Sequence, residues 1–180
     1  RVPRLRRSFE IYGAMLHGAG GPTFASMMGE GVPVNVALEL GRWLVGRSEH
    51  TLPAIALAGL ESLAGLVPAR LEAAAHEGQR LRAELRDLIG PTGVMLYPTY
   101  PEPAPRHNWP LLTPFKWIYT AILNVMELPS TQVPLGLSAA GLPLGVQVVG
   151  LHGHDHVTVA VALELERRLG GWVPPGVETP

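Results

Sequence analysis

The sequence predicts an α/β fold whose sheet is incomplete within these 180 residues. Helix-period apolar patterns fill the first half of the chain. From Val94 onward, the apolar positions shorten into runs of strand length that alternate with further helix-like segments. The strand-like runs are too few to close a sheet. We therefore expect a mixed sheet flanked by helices, with further strands contributed by polypeptide outside this sequence.

The first half is predicted to be helical. Apolar residues at helix-like spacing begin at Ser8, and a glycine-rich break leads to a short helix over Phe24–Met28. Two further helices are expected within Pro33–Leu44 and Leu52–Leu66, and both are interpreted as amphipathic or largely buried. The clearest helix spans Ala69–Leu88. Its predicted buried stripe consists of Leu71, Ala75, Leu81, Leu85 and Leu88.

In the second half of the chain, the spacing of the apolar residues changes from helix-like to strand-like. The continuous apolar run of Val94, Met95 and Leu96 is typical of a strand covered on both faces. The five prolines between Pro98 and Pro110 forbid regular structure and predict a long, stiff loop. A helix is expected from Pro114 to Met126.

A β-hairpin is predicted next. Thr131–Leu137 and Leu144–Val149 are β-rich and separated by turn residues, which favours antiparallel pairing. Gly141 tolerates a positive φ in the turn, and Pro143 suits the entrance of a strand. Gln147 interrupts an apolar run. Because a buried amide without partners costs about 1 to 3 kcal/mol, we expect it to hold a neighbouring loop.

The last predicted element is an amphipathic helix over Asp155–Leu169, with Asp155 as its N-cap. The charged residues near its end are expected to face solvent. Its apolar side is predicted to gather Val157, Val161, Leu163 and Leu165.

Composition excludes several classes of function. The formal net charge is -1, so the chain lacks the one-sided positive field that nucleic acids require. The absence of cysteine excludes disulfides, thiolate metal sites and cysteine nucleophiles. No apolar run reaches the roughly 18 residues that span a bilayer. The sequence begins with Arg1 rather than methionine, and we expect polypeptide to precede it.

Four sequence blocks then occur in a recognisable order: GVMLYPTYPEPAP, TAILNVMELPSTQVPLGL, GLPLGVQVVG and LELERRLGGW. Their order and spacing are similar to the end of amidase-signature enzymes. In the first half, SFEIYGAML and RWLVGRSEHTLPAIALAGLE resemble the fatty-acid amide hydrolases of that family. The resemblance implies the carboxy-terminal part of one amidase domain, an α/β/α sandwich. Residues 1–90 would form a mostly helical channel or cap region, and residues 91–180 the strand, loop, helix, hairpin and last helix.

The resemblance also implies a reaction. Family members cleave amides with a serine that is activated through a second serine and a lysine in a Gly-Ser-Ser-Gly-rich segment, and this sequence has no such segment. We expect the catalytic groups in the preceding polypeptide, an inactive isolated chain and no cofactor. Ser138 lies in the predicted hairpin turn and is not expected to be a nucleophile. Lys116, the only lysine, would need its pKa lowered by about 3 to act as a base, so we expect a surface lysine.

By resemblance, the segment 114–129 borders the acyl pocket of the amide substrate. Core packing is the alternative for each aromatic residue in it. The helices within 34–66 resemble the part that caps the acyl channel and touches membrane, although ordinary core packing also explains them. The location of the full-length protein stays open between cytoplasmic and membrane-associated. The candidate substrate-binding residues are Trp117, Tyr119, Thr120, Asn124 and Leu128.

Two further hypotheses belong to other classes of protein. The chain could be a non-catalytic module that binds lipid or a membrane surface through its channel helices. Alternatively, the HGHDH segment from His152 to His156 could bind a metal, because imidazoles at alternate positions can share one face of a strand. Against the metal site, Asp155 suits the start of the last helix.

Overall fold

The computed structural model describes residues 2–65, 68–107, 109–113, 115–172 and 174. The chain divides into two compact units: Glu10–Gly78, and Arg1–Phe9 together with Gln79–Pro180. The α/β class is confirmed, since helices accompany a small antiparallel sheet.

The unit Glu10–Gly78 is helical, as the sequence predicted. The helices α2 and α3 are both capped by side chains: Thr23 accepts a hydrogen bond from the Ser26 amide at 3.1 Å, and Asn35 accepts one from the Leu38 amide at 3.0 Å. Both α2 and α3 pack against α4. The helices are α1 Ser8–Gly18, α2 Phe24–Met28, α3 Val36–Leu44, α4 Leu52–Ala64 and the first half of α5 Pro68–Ile89.

The core of this unit is small. Its fully buried side chains include Ile11, Ile55 and Ala58. Many large apolar residues of α3 and α4 are exposed, Leu44 and Leu63 among them. Of the two expectations for these helices, amphipathic or largely buried, the second is therefore not met. Among the described residues, no single helix is long and apolar enough to cross a membrane. Leu52–Leu63 and Pro68–Ile89 meet that test of length and composition only as a pair bent by 101°.

The other unit contains a three-stranded antiparallel sheet in the order β1-β3-β2. Its strands are β1 Met95–Tyr97, β2 Ser130–Leu137 and β3 Pro143–Val149. The predicted hairpin is confirmed, with Gly141 at φ 73° in the turn and Pro143 as the first residue of β3. The register shifts between Pro134 and Gly136, where β2 bulges.

The prediction that the first strand is covered on both faces is wrong. The central residue of β1, Leu96, is 56% exposed, so the described residues leave the face that carries this side chain uncovered. β1 also pairs with β3 alone and is an edge strand among the described residues. A short apolar run in the sequence shows that a strand can be buried and does not show which neighbours cover it.

Two helices complete this unit: α6 Ile118–Val125 and α7 Asp155–Leu169. The helix α7 packs on β2 and β3 and closes a core around Val133, Val148 and Ala162. Val161 and Leu165 pack against that core as predicted, but Leu163 is exposed.

The predicted cap of α7 is also wrong. Asp155 is the first helical residue, and the N-cap is His154, whose side chain makes no capping bond. In α5, Leu81 and Leu85 are buried as predicted. Leu88 is exposed although its neighbours Leu85 and Ile89 are buried, so the covered side of the helix end does not include position 88.

The proline-rich segment is a loop, as predicted, and it ends in a short 3-10 helix over Trp109–Leu112. Gln147 is buried and its amide donates to the Pro98 carbonyl at 3.4 Å. The Ser130 hydroxyl donates to the Gln147 amide oxygen at 3.2 Å. Gln147 therefore holds the start of the loop against the hairpin, which confirms the expectation for this residue.

Candidate substrate groove

An open groove of about 760 Å³ lies between the proline-rich loop and the hairpin. One wall is the loop Thr99–Pro105, and the facing wall includes Gln132 and Leu144 of the hairpin. Trp117 and Trp172 add large aromatic surfaces. Because most of this lining is apolar and only a few polar groups enter it, the groove is suited to an apolar small molecule.

Two polar contacts lie at the groove, whereas the buried hydroxyl of the lining residue Thr113 has no hydrogen-bond partner among the described residues. The Thr99 hydroxyl donates to the Gln132 amide oxygen across the groove. The Glu102 carboxylate lies 2.5 Å from the ammonium group of Lys116. This contact has the distance of an ion pair without the angles of a hydrogen bond, so its attraction is chiefly coulombic.

Aromatic contacts hold the segment that leads into α6. Phe9 meets Phe115 edge-to-face, with ring centroids 4.8 Å apart, and meets Trp117 at 6.2 Å. Tyr119 lies 5.7 Å from Tyr97. Burial, and secondarily the nearby Tyr119, raises the pKa of Tyr97 above its ordinary value.

The structure brings one of the five predicted binding residues to the groove. Trp117 lines it directly before α6 begins. Tyr119 and Thr120 lie in the first turn of α6, where the Thr120 hydroxyl donates to the Trp117 carbonyl at 2.9 Å. Asn124 is exposed, and Leu128 is buried after the end of that helix. In the described part of the chain, these four residues do not line the groove.

The sequence alone did not identify the proline-rich loop as a wall of the groove. Its alternating prolines indicated stiffness but not which surface they would present. The available signal was the position of TYPEPAP between a strand and the segment already assigned to a pocket. A stiff loop of this kind loses little entropy when it binds a ligand.

The predicted helix from Pro114 begins later, at Ile118, after a turn that contains Phe115 and Trp117. Pro114 itself lies outside the described residues. This later start leaves Lys116 and Trp117 in non-helical backbone beside the proline-rich loop, where they contact Glu102 and the groove.

Ser138 and the histidines have structural partners. The Ser138 amide donates to the Leu142 carbonyl at 2.8 Å, and its hydroxyl accepts from the Leu142 amide, so this serine closes the hairpin turn. His152 donates to the Glu127 carbonyl at 3.2 Å, and the rings of His154 and His156 lie 5.7 Å apart. Among the described residues, no group of three or more His, Cys, Asp or Glu side chains is placed to hold a metal ion.

Comparison with known proteins identifies the family. The amidase family model matches residues 46–159. The chain is 44% identical to fatty-acid amide hydrolase 2-A of Danio rerio, over 99% of this chain and 34% of that protein. It is 40% identical to human fatty-acid amide hydrolase 2, over 98% of this chain and 34% of that protein. The chain thus spans about a third of the length of these curated relatives.

The fold is also found in a solved structure. A glutamyl-tRNA(Gln) amidotransferase subunit from Thermotoga maritima matches with a TM-score of 0.63 and 22% identity, over 99% of this chain and 37% of that one. This likeness covers almost the whole chain and supports the predicted α/β class. From the family match and the near-complete alignment with the fatty-acid amide hydrolases, we conclude that the chain belongs to the amidase family.

Proposed function

We propose that this chain is the carboxy-terminal part of a hydrolase that cleaves fatty-acid amides or related carboxamides. The observation that carries the proposal is 40% to 44% identity to fatty-acid amide hydrolase 2 proteins over almost the whole chain. The apolar groove supports it, because such a surface suits the acyl part of an amide.

The bond-breaking groups belong, in this proposal, to polypeptide outside the chain. A serine attacks the amide carbonyl, a second serine and a lysine move the proton, and water then releases the acid. The chain contributes the groove, which Trp117 lines. In this proposal the substrate-binding region also includes the nearby residues Tyr119, Thr120, Asn124 and Leu128. Without the nucleophile, turnover falls by about 10⁶, so the 180-residue chain alone is expected to be inactive.

The test compares the complete reading frame that contains this chain with the 180-residue chain alone. Release of fatty acid from a long-chain primary carboxamide is measured for both. Hydrolysis by the complete protein, and none by the isolated chain, is the expected result. A complete protein that folds and cleaves neither long-chain nor short-chain amides would overturn the proposal.

A tryptophan pair tests the wall. Trp117→Ala is expected to raise KM for a long-chain amide by about tenfold and to change KM for acetamide little, because one lost aromatic contact is worth about 1 to 2 kcal/mol. Trp109→Ala is the control, since Trp109 is exposed and is not among the described residues that line the groove. Equal effects of the two substitutions would contradict the assignment of Trp117.

A second function is favoured by the exposed apolar side of α3. Leu40, Trp43 and Leu44 are exposed on one side of this amphipathic helix, as expected of a module that lies on a membrane surface. Co-sedimentation of the chain with phosphatidylcholine vesicles, weakened by Trp43→Ser with Leu44→Ser and not by Leu163→Ser, would support that function. Vesicle binding together with a complete protein that cleaves no amide would favour it over hydrolysis.

A further inference from the structure

We propose that the ion pair of Glu102 and Lys116 makes the groove select uncharged ligands, so that Glu102 is a specificity determinant. This inference rests on the proposed amide hydrolase. It adds the residue through which the protein would distinguish a neutral amide from the charged products of its own reaction.

The charge distribution in the groove carries the first step. Among the described residues that line the groove, Glu102 is the only one with a carboxylate, ammonium, guanidinium or imidazole group. Its carboxylate lies 2.5 Å from the Lys116 ammonium group. The side chains are only 36% and 28% exposed, so solvent shields the pair incompletely. The groove therefore carries no uncompensated charge.

A second polar contact in the groove joins uncharged side chains. Thr99 and Gln132 satisfy each other across the groove with one hydrogen bond. A charged ligand would leave water for a mostly apolar surface that offers no free counter-charge, which is unfavourable. An uncharged ligand avoids that penalty and still buries apolar area.

Amide hydrolysis converts an uncharged substrate into charged products, so a preference for uncharged ligands would affect both binding and release. Water adds across the carbonyl-to-nitrogen bond, the hydroxyl group joins the acyl carbon, and the amine leaves with a proton. Near neutral pH, the acid then loses its proton and the amine gains one. An uncharged amide thus becomes an anion and a cation. A groove that prefers uncharged ligands retains the substrate and releases both products.

Binding measurements test the inference without turnover. The 180-residue chain is titrated with lauramide, laurate and laurylammonium below their micelle concentrations, and the affinities are measured by calorimetry. The wild type is expected to bind lauramide about tenfold more tightly than either ion. Lys116→Met exposes the carboxylate and should tighten laurylammonium binding about tenfold. Glu102→Gln exposes the ammonium group and should do the same for laurate.

The charge-swapped variant Glu102→Lys with Lys116→Glu is the matched control. It restores the pair in the opposite order and should again prefer lauramide, a result that mere damage to the loop would not give. Circular dichroism checks the folding of each variant. If a single-charge variant unfolds, the swapped variant decides, because a folded swapped protein without the lauramide preference overturns the proposal.

Equal affinities of the wild type for the three probes, or no binding of lauramide, would also overturn it. These outcomes are separate from the turnover assay. A complete protein that cleaves no amide refutes the proposed hydrolase, whereas an active enzyme whose groove does not discriminate by charge refutes only the role of Glu102.

Discussion

Glu127 combines a strained backbone conformation with side-chain and backbone contacts that hold it in place. Its φ is 57°, in the left-handed region that residues other than glycine rarely adopt. The Arg82 guanidinium lies 3.0 Å from its carboxylate and also donates to the Val125 carbonyl at 2.7 Å. The Glu127 carbonyl accepts from His152. These contacts tie the turn after α6 to α5 and to the loop before α7.

Substitution of Glu127 separates the backbone cost from the ion pair. Both Glu127→Gly and Glu127→Ala lose the pair, which is worth at most about 1 kcal/mol because both side chains are more than a third exposed. Only glycine also relieves the left-handed strain of about 1 to 2 kcal/mol. We expect the glycine variant to be about 1 kcal/mol more stable than the alanine variant in urea unfolding. The reverse order would contradict the left-handed conformation.

The Glu39 carboxyl has a pKa that its hydrogen bonds lower, which gives a testable pH dependence. Hydrogen bonds from the Ser48 hydroxyl at 2.8 Å and from Arg42 at 2.7 Å lower its pKa below 4.5. A depressed folded-state pKa means that the stabilisation is present above the unfolded value and is lost as pH falls through the folded value. Ser48→Ala should raise the pKa of Glu39 in an NMR titration.

The control for this titration is Ser62→Ala, because the Ser62 hydroxyl donates to the Ala58 carbonyl within α4 instead. It should leave the pKa of Glu39 unchanged. An unchanged pKa in the Ser48→Ala variant would refute the assigned hydrogen bond.

At the scale of the element, periodicity located helices and strands better than it located their buried faces. The bounds of α7 were predicted correctly, and those of β2 and β3 to within one residue. Leu163 and Leu96 were placed on covered faces and are exposed. Leu163 is two residues from both Val161 and Leu165, so helical spacing itself places it on the opposite side of α7. For Leu96 the spacing is compatible with burial, and the exposure depends on which elements pack there.

Two helical glycines give a prediction of opposite sign for the same substitution. A Cβ on Gly78 of α5 would lie 2.3 Å from the Met15 sulfur and 3.0 Å from an Ile11 methyl carbon, whereas one on Gly41 of α3 would meet nothing within 4 Å. Gly41→Ala should stabilise by about 0.5 to 1 kcal/mol through helix propensity. Gly78→Ala should destabilise by about 1 to 2 kcal/mol through overpacking.

Thermal and urea unfolding of both variants measures these effects. Equal stabilisation by the two substitutions would show that Met15 moves aside without cost. It would also remove the close contact of α1 with α5 as the reason for glycine at position 78.

At the scale of the whole molecule, the sheet has two edge strands that could pair further. Among the described residues, β1 and β2 each pair on one side only, and exposed edges promote pairing between chains. The isolated chain is therefore expected to self-associate in sedimentation velocity. Leu96→Lys, which places a charge on β1, should reduce association. Leu163→Lys adds the same charge to an exposed position on α7 and should not. Equal effects would show that net charge, rather than the strand edge, controls association.

The sequence by itself determined the α/β class, the order of the elements, the hairpin, the role of Gln147 and the family, because these follow from local periodicity, turn chemistry and ordered blocks. It also named Trp117, which lines the groove, as a candidate binding residue. The structure alone decided that the proline-rich loop faces the hairpin and that Glu102 meets Lys116, fourteen positions away. Such contacts depend on how the loop folds back on the sheet, and neither period nor spacing encodes that path.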